Sequence, residues 1–164
     1  DPERIAVIGH SAGAHIAAIV GSDESLLAEV GMEPEQLAGI VLLDGAGYDL
    51  TYRMENLPEI NRLEMMYRNA FGDDKELWVR ASPTLQAKPG DELPPLLAIY
   101  INARPDSKLA SEGLVDAWAK TGAHAELVVS PEDTHSSLNR RLGTWRDPET
   151  KAVQAFLDSV FGED

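Results

Sequence analysis

Residues 5–20 constrain this chain more than any other segment. Arg4-Ile5-Ala6-Val7-Ile8 reads as a short buried strand, and Ala14 to Val20 is an Ala/Ile-rich stretch of helical character. Between them stands Gly9-His10-Ser11-Ala12-Gly13, a Gly-x-Ser-x-Gly turn that joins the strand directly to the helix. Such a turn puts its central serine in a strained backbone conformation with the hydroxyl exposed, the geometry of a nucleophile elbow. Small residues two before and two after the serine let strand and helix approach, a condition Gly9 and Gly13 meet. The first helical turn also leaves N–H groups unpaired beside the serine. The Ala12 N–H is therefore a candidate oxyanion donor and Ser11 a candidate nucleophile.

The order of elements downstream points to an α/β fold. Ile40 to Leu43 reads as a second buried strand, ending in the turn Asp44-Gly45-Ala46-Gly47. Tyr48 to Pro58 reads as polar and irregular. Ile60 to Phe71 has helical spacing, and Lys75 to Ala81 a shorter helical pattern that Pro83 is expected to stop. Leu96 to Ile101 reads as a third strand, Leu109 to Thr121 as a helix stopped by Gly122, and Glu126 to Val129 as a fourth strand. Asp147-Pro148-Glu149 opens a last helix, with Val153, Phe156, Leu157 and Val160 along one side. Strands alternating with helices predict a parallel β-sheet with helices on both faces. No internal repeat or linker divides the chain, so residues 1–164 are expected to form one domain.

Composition excludes more than it identifies. Asp and Glu outnumber Lys and Arg by 28 to 14, a net charge of −14 that repels nucleic acid and anionic membrane surfaces. The chain has no cysteine, which rules out disulfides, thiol catalysis and Cys-ligated metals. No apolar run approaches the roughly 18 residues of a membrane span. No signal peptide is visible and the chain opens on Asp1 rather than Met, so location is read no further than a leaning to the cytoplasm.

A serine nucleophile needs a base and an acid, expected in chain order serine, acid, histidine after successive strands. Asp106, just after the third strand, is the expected acid, and His135, in the loop after the fourth, the expected base. Asp106 also has the position of a helix cap before Leu109. Glu132 and Asp133 stand beside His135 and are expected to face solvent. Asp44 ends a strand, where Gly45 and Gly47 point to a turn role. His10 and His15 flank the serine as packing or hydrogen-bonding residues, and His124 looks like surface. Tyr48, Met65, Met66 and Tyr67 fit either an acyl pocket or core, while Trp78, Trp118 and Trp145 read as core or rim aromatics. No histidine pair has metal-ligand spacing, so neither a metal nor a cofactor is expected.

Gly9-His10-Ser11-Ala12-Gly13-Ala14-His15 resembles the elbow of α/β-hydrolase esterases of the hormone-sensitive-lipase-like and kynurenine-formamidase-like group. Ala81-Ser82-Pro83, Asp106 and His135-Ser136-Ser137-Leu138-Asn139 fit that group too. The resemblance implies Ser11 as nucleophile, Asp106 as acid, His135 as base and Ala12 N–H as one oxyanion donor. It implies a serine carboxylesterase for small acyl esters, with arylformamidase or a non-catalytic assembly module as the other readings. In the group's eight-stranded fold the elbow follows the fifth strand; here it follows the first. The chain is therefore expected to match the C-terminal four-strand half, without the His-Gly-Gly-type oxyanion loop. It should then have little activity alone, and an open sheet edge near Arg4 to Ile8 that favours a homo-oligomer.

Overall fold

Four short strands pair into one parallel sheet in the order β1-β2-β3-β4, the two inner ones apolar on both faces. The computed structural model describes residues 5–56 and 62–162. Its elements are β1 (Ile5–His10), α1 (Ala12–Ser22), α2 (Glu24–Ala28), β2 (Leu37–Leu43), α3 (Leu50–Glu55), α4 (Arg62–Phe71) and α5 (Lys75–Arg80). They continue with α6 (Pro83–Gln86), β3 (Leu96–Ile101), α7 (Pro105–Thr121), β4 (Ala125–Ser130), α8 (His135–Arg141) and α9 (Pro148–Phe161).

Side chains alternate across a strand, so each face of the sheet collects its own core. Ile40 and Leu42 of β2 join Leu96 and Ala98 of β3 beneath α1 and α7, with Ala14, Ala18, Leu114 and Trp118 coming down from the helices. Val41, Leu43, Leu97, Ile99 and Ile101 face the opposite way and are covered by Leu138 of α8 and by Val153 and Phe156 of α9. Each of these fully buried aliphatic side chains contributes about 1.5–3 kcal/mol relative to exposure. The Trp118 indole also donates to the Pro94 carbonyl at 2.7 Å, tying α7 to the chain entering β3. A smaller cluster of Leu50, Met54, Tyr67 and Trp78 holds α3, α4 and α5 together.

The parallel, doubly covered sheet expected from the sequence is present, and three boundaries differ. The stretch read as irregular contains α3, whose Asp49 cap accepts from the Tyr52 N–H at 2.9 Å and whose Leu50 and Met54 are buried one turn apart. Pro83 starts α6 instead of ending a helix, because a first-turn proline lacks an N–H that the helix does not need. Helix α7 begins at Pro105, four residues before Leu109, for the same reason. That places Asp106 inside the first turn of a helix. The expected starts at Arg4 and Ile60, and Pro58, lie outside the described residues.

Parallel pairing aligns the strand ends. His10 is opposite Leu43, and Leu43 opposite Ile99. Residues that follow β1, β2 and β4 therefore emerge along one edge of the sheet, at the carboxyl ends of the strands.

Candidate active site

Ser11 has φ 57° and ψ −119°, a left-handed conformation uncommon for a residue with a side chain. Two backbone contacts hold it there. Its N–H donates to the Leu43 carbonyl at 3.0 Å, and its own carbonyl accepts from the Ala14 N–H at 3.0 Å to start α1. The tight turn explains Gly9: a Cβ there would lie 2.2 Å from the Gly13 carbonyl oxygen. Gly13 is under no such constraint, since a Cβ at that position meets nothing within 4 Å.

Ser11 and His135, 124 residues apart in the chain, meet at this edge, with Ser11 Oγ 2.9 Å from His135 Nε2. His135 Nδ1 lies 2.6 Å from Asp44 Oδ2. A carboxylate accepts only, so this pairing assigns the proton to Nδ1 and leaves the Nε2 lone pair facing the serine hydroxyl. That is the tautomer a general base needs.

The carboxylate bonded to His135 is thus that of Asp44, and the expected relay through Asp106 is corrected to this extent. Asp44 follows the last residue of β2 directly, with φ 45°, and its side chain is wholly buried. Asp106 is drawn elsewhere: its Oδ2 accepts from Arg104 Nη2 at 3.2 Å and Arg53 Nη2 at 3.4 Å. Arg104, which the sequence reading did not single out, links the two acids. Its Nη1 donates to Asp44 Oδ2 at 2.6 Å and lies 2.9 Å from His135 Nδ1, because both donors converge on one oxygen. Partial burial alone would lower the Arg104 pKa, but the contacts with Asp44 and Asp106 raise it above the ordinary value, so the guanidinium stays charged.

His135 opens α8 rather than sitting in a loop. The preceding turn is fastened by Asp133, which accepts from Ser130 Oγ at 3.0 Å, Ser137 Oγ at 2.6 Å and Arg141 Nη1 at 3.2 Å. Asp133 was expected to face solvent; it is buried because it satisfies these donors. Burial raises its pKa, and the bonds from Ser137, Ser130 and Arg141 bring it below the usual carboxylate value. Asp133, Asp147 and Glu149 place ligand-type oxygens within 4.8 Å of one another. Arg141 pairs with both aspartates, supplying charge and joining α8 to the start of α9.

The remaining candidates divide plainly. Tyr48 and Tyr67 are buried core residues, whereas Met65 and Met66 are exposed. His15 is buried against Tyr48 and Phe71, and His124 pairs with Glu126 at the surface. Trp78 and Trp118 are buried, and Trp145 is exposed beneath the Arg146 guanidinium. A cleft of about 470 Å³ runs along α3 and the start of α7, lined by Arg53, Asp106 and Leu109 among others, but neither Ser11 nor His135 lines it. Among the described residues no helix is long and apolar enough to cross a membrane.

The parallel sheet, entered at a strand–serine–helix turn and covered by helices on both faces, has the arrangement of the α/β-hydrolase fold. The solved structures agree. Esterase B from Lactobacillus Rhamnosis (HN001) superposes with a TM-score of 0.69 at 17% identity, over 98% of this chain and 54% of that one. An acetyl ester-xyloside bifunctional hydrolase from Caldicellulosiruptor lactoaceticus superposes with a TM-score of 0.72 at 21% identity, over 98% of this chain and 58% of that one. In sequence, the chain is 30% identical to Esterase LipQ of Mycobacterium tuberculosis over an alignment of 174 positions that covers 99% of this chain and 39% of that protein. No protein-family model matches the chain. The chain spans little more than half the length of these solved relatives, and less of the curated one.

Proposed function

We propose that this chain carries the catalytic serine, histidine and acid of a carboxylic-ester hydrolase acting on small acyl esters. The observation that supports this most is the pairing of Ser11 Oγ with the unprotonated Nε2 of a histidine whose Nδ1 is held by a buried carboxylate. Likeness to esterases in both sequence and fold supports the substrate class.

In this reading Ser11 Oγ attacks the ester carbonyl carbon as its proton passes to His135 Nε2. The tetrahedral intermediate then expels the alcohol, which takes that proton from His135. Water, activated by the same nitrogen, attacks the acyl-serine and releases the acid. Asp44, in place of Asp106, holds the imidazole and stabilises its charged form. The Ala12 N–H, at the first position of α1, is one oxyanion donor. A second donor lies outside these 164 residues in this proposal, so ester turnover by the chain alone is about 10²–10³-fold below that of a complete site.

A fluorophosphonate probe tests the central claim without needing the natural ester. The Ser11 Oγ–P bond forms as the P–F bond breaks, with the serine proton taken by His135 and fluoride leaving. Labelling that disappears in Ser11→Ala supports the reading, and labelling elsewhere or nowhere overturns it. Comparing a short p-nitrophenyl ester with N-formylkynurenine then separates ester from formamide hydrolysis.

A further inference from the structure

His10 stands in the variable position of the elbow, and the chemistry above makes no use of it. Its Nε2 lies 2.8 Å from the His135 carbonyl oxygen, a contact across 125 residues. Its ring lies against the His135 ring, with centroids 4.5 Å apart and planes tilted by 36°. We propose that His10 is a positioning residue for His135, fixing both the backbone and the ring plane of the base. This rests on the reading of His135 as the base of Ser11.

Three features carry the inference. First, a carbonyl oxygen accepts only, so His10 Nε2 must carry its hydrogen, and the contact is a directed bond. Second, the two partners differ in how firmly they are held. His10 is the last residue of β1, opposite Leu43 in the sheet, whereas His135 begins a short helix. The polar bonds that cap this helix, from Thr134 and Asp133, run back to β4 and within α8. Within these contacts, the His10 bond is the one that ties the base to the strand carrying the nucleophile. Third, His135 must satisfy two directions at once, Nδ1 toward Asp44 at 2.6 Å and Nε2 toward Ser11 at 2.9 Å. A ring packed at a tilt against the imidazole leaves less room for rotation out of that plane. The bond and the ring contact of His10 both go to His135, so it acts through His135.

The test combines nitrogen NMR of the histidine rings with phosphonate labelling, using His10→Ala, His10→Phe and His10→Gln in the 164-residue chain. In the wild type, His10 is expected to carry hydrogen on Nε2, and His135 to show a slowly exchanging Nδ1–H. In His10→Ala the His135 Nδ1–H should exchange at least tenfold faster while signals from α7 stay in place. The limiting rate of Ser11 labelling should fall about tenfold to 10²-fold, the scale for an angstrom-level misplacement, with the half-saturating probe concentration unchanged. Gln, which can still donate, should recover more of the rate than Phe, which restores the ring alone. A wild-type His10 without hydrogen on Nε2, or a His10→Ala chain that keeps both the His135 signal and the labelling rate, overturns the proposal. If the wild type labels nowhere, the reading of Ser11 and His135 fails, while the tautomer and exchange measurements still decide whether His10 orders His135.

Discussion

Arg104 Nη1 lies 2.6 Å from Asp44 Oδ2, the same oxygen that receives His135 Nδ1. A charged guanidinium and the His135 imidazole thus compete for one acceptor, with Asp106 placed behind Arg104 as a second counter-charge. The two acids can be told apart by function. Asp44→Asn replaces the acceptor with an amide that favours the wrong imidazole tautomer, so Ser11 labelling should slow by about 10⁴-fold. Asp106→Asn leaves the His135 contact intact and should slow it by less than about tenfold. Equal losses, or the reverse order, would return the acid role to Asp106.

The two glycines of the elbow differ in what surrounds them. Gly9→Ala forces a Cβ into the backbone at Gly13 and should destabilise the chain by at least about 1–3 kcal/mol. Gly13→Ala enters open space in a helix and should be neutral or stabilising by up to about 1 kcal/mol. Urea unfolding of both variants measures the contrast, and similar midpoints for the two would contradict it.

His15 gives stability a pH dependence. Burial pulls its pKa below the ordinary value of 6.5, with hydrogen bonding to the backbone at Ala81 and Gly47 offsetting part of the effect. The unfolded chain therefore binds the proton more readily, and stability is lost as pH falls below about 6.5. His15→Gln should flatten the unfolding free energy between pH 6.5 and the onset of carboxylate titration, which is where Asp133, held low, begins to add its own loss. An unchanged slope in the variant would assign the loss to other groups.

Among the described residues β1 pairs with β2 alone, and Ile8 of β1 is 45% exposed. An unpaired edge with apolar neighbours favours association with a second strand, and the 164-residue chain is expected to self-associate there. Light scattering after gel filtration should show a mass that grows with concentration, and Ile8→Lys should return it to a monomer. A wild-type monomer from micromolar to near-millimolar concentration would end this expectation.

What could be read in advance was local. The elbow announces itself within ten residues because strand, turn and helix each leave their own pattern, and the strands around Leu42 and Ala98 are apolar on both faces. That His135 would meet Ser11 was legible from its place after the last described strand. Its carboxylate partner was not, because Asp44 and Asp106 both follow strands, and only the folded chain brings Asp44 to His135 Nδ1 while Asp106 lies against Arg104 and Arg53. Helix α3 was hidden for a simpler reason: six residues with two buried anchors leave too little periodicity to see. Asp133 was misread because its donors come from β4 and α8, which only tertiary folding brings to it.

The Ser11–His135 bond spans 124 residues, and between its ends lie three of the four strands. Contacts of such long separation form late, after shorter loops have closed and lowered the entropic cost of joining the ends. Reactivity at Ser11 is then a clock for the whole chain. During refolding the hydroxyl should remain inert while sheet and helices assemble, and acquire its reactivity in the step that docks α8 over the elbow.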